Sequence, residues 1–149
     1  MIVLTWGEYL LSFPFSWLSF GNVMGELRFT LVEDDETDLF LLHHAISQTF
    51  PHSSISSFTK AEDALHHILD TGADFLITDH GMGRMSGTEL VRELRRQGQR
   101  FPIIMVSGNP QTEEEARLAG ATEFLQKSGD MRRIEERVRC LLSTREPSL

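Results

Sequence analysis

The sequence predicts an α/β fold in which a parallel β-sheet carries helices on both faces. From residue 26 onward, short β-rich runs alternate with amphipathic stretches about a dozen residues long. Such alternation requires each crossover to return the chain to the same end of the sheet. The run "PIIMV" at 102–106 is apolar throughout, which is typical of a strand buried on both sides.

Five strands and five helices are predicted along this repeat. The strand candidates are 28–33, 53–58, 74–78, 102–106 and 123–126, and the helix candidates are 36–49, 60–70, 87–97, 113–119 and 131–143. Capping-box spacing predicts helix starts at Thr59 with Glu62, Ser86 with Glu89 and Thr112 with Glu115. Helix ends are predicted at Gly72, Gly98 and Gly120.

Composition favours a single globular domain. The chain has 149 residues and 40% hydrophobic residues, enough for a sizeable core. Its formal net charge of -8 argues against extensive electrostatic binding to nucleic acid or anionic lipid. Cys140 is the only cysteine, so an internal disulfide is excluded and a reducing, cytoplasmic setting is expected. We expect Cys140 to pack within a helix rather than to react.

Residues 1–25 differ from the rest and are predicted to lie outside the domain. They are rich in aromatics, lack Lys and Arg, and are interrupted by Glu8 and Pro14. These features fit neither a signal peptide nor a membrane helix. The alternatives are a flexible leader, an upstream extension with true initiation at Met24, or an interfacial or oligomerisation arm. The predicted domain covers 26–144, and 145–149 is a short tail.

Chemically reactive side chains fall at the predicted strand ends, where ligands collect in an open parallel sheet. The first strand ends in Glu33, Asp34 and Asp35, the third in Asp79, the fourth in Ser107 and the fifth in Lys127. Carboxylates crowded near 4 Å repel one another by about 4 kcal/mol per pair at an effective dielectric near 20, so the cluster needs a cation. Carboxylate oxygens with positions left for water and phosphate suit Mg²⁺.

The segments "LVEDD", "LITDHGMGRMSG", "PIIMVSG" and "EFLQKS", in this order, resemble the receiver domain of two-component response regulators. The resemblance covers about 26–144. It implies a flavodoxin-like, doubly wound five-stranded sheet of strand order 2-1-3-4-5. It also implies that the aspartate ending the third strand accepts a phosphoryl group from a sensor histidine kinase.

Residue roles follow from this resemblance position by position. Asp79 would be the phosphoacceptor, and Asp34, Glu33 and the backbone carbonyl of Gly81 would join it in holding Mg²⁺. Ser107 would be the switch hydroxyl, and Lys127 would pair with the phosphorylated carboxylate. Phe124 stands where the family often places an aromatic switch residue.

Two positions depart from the family pattern. Gly83 replaces a proline in the loop after the phosphoacceptor, and Ser128 replaces the proline that usually follows the lysine through a cis bond. The bond between Lys127 and Ser128 is trans by default because Ser128 is not proline. We therefore expect Lys127 to approach the site slightly differently from the family's lysine. Neither change removes a reactive group.

Several residues also have simpler interpretations. Asp34 and Asp35 could merely cap the following helix, and Ser107 alone could be a turn residue. The pairs His43/His44 and His66/His67 suggest metal or phosphohistidine chemistry, but adjacent helix positions do not share a face. The arginines of the third and fifth helices are expected to form solvated faces, with the fifth helix also a candidate for partner binding.

The sequence therefore predicts a single-domain receiver that acts as a phosphorylation-dependent switch or relay and catalyses only its own phosphoryl transfer and dephosphorylation. Expected partners are a sensor histidine kinase or a histidine phosphotransfer protein, a downstream protein target, or a second copy of the chain. Neither nucleic acid nor a membrane is expected to bind. The alternatives are a pseudo-receiver that does not use phosphate and an aspartate-nucleophile phosphatase, although the latter class requires a second aspartate where Gly81 stands.

Overall fold

The structure is a computed structural model and describes residues 26–144. The strands are β1 (Arg28–Val32), β2 (Ser54–Phe58), β3 (Phe75–Asp79), β4 (Ile103–Ser107) and β5 (Glu123–Gln126). The helices are α1 (Glu36–Thr49), α2 (Ala61–Thr71), α3 (Gly87–Arg96), α4 (Glu113–Ala119) and α5 (Met131–Ser143), with a 3₁₀ turn at Pro110–Thr112. The predicted leader and tail lie outside the described residues.

The strands form one parallel sheet in the order β2-β1-β3-β4-β5. This order confirms the predicted doubly wound, flavodoxin-like fold. The chain passes from β1 outward to β2, then crosses back over β1 to β3 and continues outward to β5. The reversal places the carboxyl ends of β1 and β3 side by side, at the switch point where open α/β sheets bind ligands.

Each face of the sheet is covered by its own hydrophobic layer. One layer joins strand residues such as Leu76 and Ile103 to α2, α3 and α4. The other joins residues such as Leu31 and Ile77 to α1 and α5. Successive strand residues point to opposite faces, so the strands must be apolar throughout, as the run at 102–106 predicted.

Predicted element boundaries agree with the structure to within a residue. The predicted third and fourth strands stop one residue early, at 78 and 106, whereas β3 includes Asp79 and β4 includes Ser107. Asp79 pairs with Val106, and Ser107 pairs with Gln126. The apolar pattern in the sequence stops before Asp79 and Ser107 because their side chains are polar, but the backbone of both residues still pairs within the sheet.

Capping signals were less reliable than hydrophobic periodicity. The capping box of Ser86 with Glu89 is confirmed, with both hydrogen bonds present. The prediction at Thr59 was wrong because α2 is capped one residue later, at Lys60, without a side-chain bond. The helix start predicted at Thr112 is confirmed, since Thr112 is the N-cap of α4, but the capping-box bond is absent and the Thr112 hydroxyl instead donates to the Asn109 carbonyl at 2.7 Å. Gly72 and Gly120 end their helices with positive φ, as predicted.

Two further predictions about side-chain environment were wrong. Cys140 is exposed on α5 rather than packed inside. Arg95 is half-buried rather than solvated, and its guanidinium donates to the carbonyls of Gly120 and Phe101 at 2.9 and 2.8 Å. A long arginine can bury its stem while its planar head satisfies loop carbonyls. No helix within residues 26–144 has the length and apolar character needed to cross a membrane.

Candidate functional site

The adjacent ends of β1 and β3 bring three carboxylates together. Glu33, Asp34 and Asp79 each place an oxygen so that all three lie within 4.8 Å of one another. Glu33 is buried, Asp79 is partly buried and Asp34 is exposed. The cluster therefore opens to solvent on the Asp34 side.

Strand pairing accounts for this convergence. Val32 is paired with Thr78, so the residues that follow them, Glu33 and Asp79, lie side by side at the carboxyl ends of β1 and β3. The backbone N–H of Glu33 donates to the Phe58 carbonyl at 3.0 Å, which fixes the turn out of β1 against β2. Asp35 then starts α1, because its carboxylate accepts the N–H of Asp38 at 2.9 Å. Asp35 is thus the helix cap, and Asp34 is left free to face the cluster.

Lys127 brings a cation to the same edge. Its backbone N–H donates to the Ser107 carbonyl at 2.7 Å, which ties the end of β5 to the end of β4. Its Nζ lies 2.8 Å from Glu33 Oε2 and 2.7 Å from Asp38 Oδ2. The ammonium therefore makes its direct ion pairs with Glu33 and Asp38 in this structure, whereas Asp79 acts on it only through space.

The pKa directions show how strongly these groups affect one another. Burial raises the pKa of Asp79, and the charge of Lys127 offsets only part of this effect. Burial also raises the pKa of Glu33 against the hydrogen bond from Lys127. Burial would lower the pKa of Lys127, but its hydrogen bonds to Asp38 and Glu33 outweigh burial, and the net direction is upward. The cluster is thus crowded with negative charge, and Lys127 remains firmly protonated.

Ser107 is buried at the end of β4, one residue beyond Val106, which pairs with Asp79, and its side chain contacts the following loop. Its Oγ accepts the N–H of Asn109 at 3.1 Å. The hydroxyl oxygen is thus engaged by its own loop.

Phe124, Gly81 and Ser128 lie where the sequence predicted, on β5 and in the loops of this edge. Phe124 is partly buried and packs against the layer that contains α4. Gly81 is exposed, and a Cβ at this position would meet open space. The Lys127–Ser128 bond is trans, since residues 26–144 contain no cis peptide bond.

Sequence reasoning missed two residues that shape the site. Asp38 binds Lys127 from the first turn of α1, and no spacing in the sequence signals this contact, which joins two elements distant along the chain. Gly87 starts α3 against the end of β3, and a Cβ there would lie 2.0 Å from the Asp79 carbonyl oxygen. Gly87, rather than Gly81 or Gly83, is therefore the glycine that a close backbone approach requires.

The residues present fit Mg²⁺. The cluster offers only oxygen ligands, it is open on one side, and its oxygens are close enough for an ion of this size with small side-chain adjustments. The carboxylate cluster contains no nitrogen or sulfur ligand that would favour a transition metal.

Comparison with known proteins identifies the family. The response regulator receiver domain profile matches residues 29–139, more than half of the chain. The chain belongs to this family. It is 34% identical over 115 residues to the two-component response regulator PhoP of Pseudomonas aeruginosa, covering 75% of this chain and 50% of PhoP. It is 30% identical over 126 residues to the cyclic di-GMP phosphodiesterase response regulator RpfG of Xanthomonas campestris pv. campestris, covering 82% of this chain and 33% of RpfG.

The chain thus spans half or less of these two relatives. Solved structures agree on the fold. CheY4 of Vibrio cholerae superposes with a TM-score of 0.71 at 21% identity, covering 78% of this chain and 99% of that chain. TrrA of Thermotoga maritima, described in complex with Mg(2+)-BeF, superposes with a TM-score of 0.70 at 24% identity, covering 77% of this chain and 98% of that chain. This chain is a receiver domain of a two-component response regulator by family.

Proposed function

We propose that this receiver is a phosphorylation-dependent switch or relay in which Asp79 accepts a phosphoryl group from a sensor histidine kinase or a histidine phosphotransfer protein. The observation that supports this proposal best is the convergence of Asp79 with Glu33, Asp34 and Lys127 at one sheet edge. Receiver family membership supports the donor class.

The proposed reaction joins an Asp79 carboxylate oxygen to phosphorus as the P–N bond of the donor phosphohistidine breaks. The imidazole leaves with the bonding electron pair, and later attack by water releases inorganic phosphate. The protein contributes mainly position and charge neutralisation, as is general for phosphoryl transfer.

Mg²⁺ is the proposed cofactor, held by Glu33, Asp34, Asp79 and the carbonyl of Gly81. When bound, it supplies positive charge to the phosphoryl oxygens. The relative TrrA, described with Mg(2+)-BeF, supports this assignment. Lys127 is proposed to pair with the phosphorylated side chain.

The adduct would add about -1.5 to -2 charges and new acceptor oxygens at the end of β3. We infer that Ser107 then exchanges its bond with Asn109 for one with the phosphoryl group, and that Phe124 moves into the space behind it. This change would shift the population between two arrangements of the edge formed by β4, β5 and their loops.

The proposed output is a protein partner or a second copy of the chain. The net charge of -8 disfavours nucleic acid as a direct ligand of this domain. One solved structure, described as a DNA-binding response regulator of the LuxR family from Staphylococcus aureus, is similar in fold at 19% identity. DNA binding is attributed to that protein alone.

Intact mass measurement tests the proposal. Incubation of the full chain with acetyl phosphate and Mg²⁺ should add the mass of one phosphoryl group, because the carboxylate cluster and Lys127 surround Asp79. Hydroxylamine should remove it, because it cleaves acyl phosphates. The adduct should be lost with Asp79→Asn and with a metal chelator. An unmodified wild-type mass would instead support the pseudo-receiver alternative.

A further inference from the structure

Lys127 is shared between two carboxylates that differ in their surroundings. Its Nζ is 2.8 Å from Glu33 Oε2 and 2.7 Å from Asp38 Oδ2. Glu33 belongs to the carboxylate cluster with Asp34 and Asp79, whereas Asp38 lies outside that cluster, in the first turn of α1. Lys127 is thus held between the cluster and a helix.

The two ion pairs are not equally easy to break. The side chain of Glu33 is 7% exposed, whereas that of Asp38 is 36% exposed. A buried carboxylate that loses its cation is left unpaired at high cost, but an exposed one is rehydrated by water. Asp38 is therefore the partner that Lys127 can leave at the lower cost.

Lys127 also has room to move. A cavity of about 30 Å³, lined in part by Asp38, Asp79 and Lys127, lies beside the ammonium. Lysine carries its charge on a flexible stem with rotatable donors. Rotation of the lysine side chain is therefore the movement that would carry the ammonium from Asp38 toward Asp79.

We propose that Asp38 is a positioning residue that holds the Lys127 ammonium in the unphosphorylated protein and competes with the phosphoryl group for it. This inference rests on the proposed phosphorylation of Asp79. Asp38 biases the switch toward its unmodified arrangement, and phosphorylation releases the first turn of α1 from the end of β5.

The backbone around Asp38 does not depend on its carboxylate. The N–H of Asp38 is bound by the side chain of Asp35, the helix cap, at 2.9 Å. Replacement by asparagine keeps this bond and the side-chain size while it removes the charge. Asp38→Asn is therefore a clean test of the competition, and Asp38→Ser provides a second variant that also lacks the charge.

The test is a titration of the full chain with beryllofluoride, a phosphoryl analogue, at saturating Mg²⁺, followed by fluorine NMR of the bound analogue. We expect Asp38→Asn to lower the half-saturating concentration about threefold to fivefold, because a partly exposed ion pair no longer competes for Lys127. The difference should shrink at high salt, which screens such pairs. Asp38→Glu should restore binding close to wild type.

Two controls separate competition from a general change in charge. Glu36→Gln removes a neighbouring negative charge from the same helical turn, and it should leave the half-saturating concentration within about twofold, since a charge effect through solvent is screened. In a Lys127→Met background, Asp38→Asn should have no further effect, because the contested cation is gone.

The outcomes distinguish this inference from the function on which it rests. A wild-type protein that binds no beryllofluoride with Mg²⁺ would contradict both. A wild-type protein that binds it, with Asp38→Asn and Asp38→Ser equal to or weaker than wild type, would overturn the role of Asp38 alone. A persistent effect of Asp38→Asn without Lys127 would do the same.

Discussion

At the residue scale, Asp79 is a carboxylate kept at a strand end where the fold does not favour its charge. Glu33 and Asp34 have oxygens within 4.8 Å of it, and Lys127 is directly bound to Glu33 and Asp38 instead. Negative charge in this cluster is thus incompletely balanced. Such an imbalance suits a site that binds a cation.

We predict that Asp79→Asn stabilises the metal-free protein by on the order of 1 kcal/mol at pH 7, since it removes one of the crowded charges. Burial raises the pKa of Asp79 above 3.8. The folded protein therefore holds this proton more tightly than the unfolded chain, and the free energy of unfolding falls as pH rises through the window from 3.8 to the raised pKa.

The gain from Asp79→Asn should therefore be present at neutral pH and vanish below pH 3.8, where the carboxyl is protonated in both states. Urea unfolding in chelator across this range measures it. Asp35→Asn is the matched control, because it removes a nearby charge and retains a good helix cap. A loss of stability in Asp79→Asn at pH 7 would contradict this account of the cluster.

The sequence predicted well which charged residues at strand ends converge, but it did not predict which side chains form direct ion pairs. Glu33, Asp34, Asp79 and Lys127 were predicted to converge because topology alone brings strand ends together, and the structure places them so. Asp38 was missed because its contact depends on the direction of one side chain across the gap between α1 and β5. Periodicity carries no information about such a contact.

At the element scale, the start of α3 packs closely against the end of β3 because Gly87 has no side chain. A Cβ at Gly87 would lie 2.0 Å from the Asp79 carbonyl oxygen and 3.2 Å from the Cα of His80. The N–H of Gly87 also donates to the His80 carbonyl at 2.9 Å. This helix start therefore fixes the backbone at Asp79 and His80.

Gly87→Ala gives a prediction in which two effects oppose each other. Helix propensity alone would favour alanine by about 1 kcal/mol. The backbone clash should outweigh it, because overpacking costs about 1–3 kcal/mol and occasionally more, and a 2.0 Å approach to a backbone atom lies at the severe end of that range. We therefore expect a net loss of at least about 2 kcal/mol in urea unfolding.

Gly81→Ala is the matched control for this prediction, since a Cβ there meets nothing within 4 Å. We expect its unfolding free energy to stay within about 0.5 kcal/mol of wild type. Equal stability of the two variants would show that the close approach at Gly87 does not constrain the site.

Element positions were predicted well because long hydrophobic patterns average over many residues. The two capping boxes that did not form, at Thr59 and Thr112, were each predicted from a single pair of residues at one spacing. The structure starts α2 after Lys60 and places a 3₁₀ turn before α4. The start of α2 is thus one residue later than the pair at Thr59 predicted, whereas α4 starts after Thr112 as predicted but without the side-chain bond.

At the scale of the whole molecule, strand order does most to build the site. The reversal at β1 and β3 places Glu33 beside Asp79, and the outward order β3-β4-β5 brings Ser107 and Lys127 to the same edge. This order was implied by family resemblance, because alternation of strands and helices fixes a parallel sheet but not the sequence of its strands. The structure confirms it.

The relatives extend well beyond the matched region, with half of PhoP and a third of RpfG covered by the match. Their whole-protein activities therefore do not transfer to this chain. The switch proposed here needs only the receiver, because every group assigned to it lies within residues 33–127.

The most direct test of the central proposal is to locate the phosphoryl group. The chain is treated with acetyl phosphate and Mg²⁺, reduced with borohydride, which converts an aspartyl phosphate to homoserine, and digested for tandem mass spectrometry. We predict homoserine at position 79 and unaltered aspartate at positions 34, 35 and 38. Homoserine at one of those other positions, with Asp79 unaltered, would contradict the account.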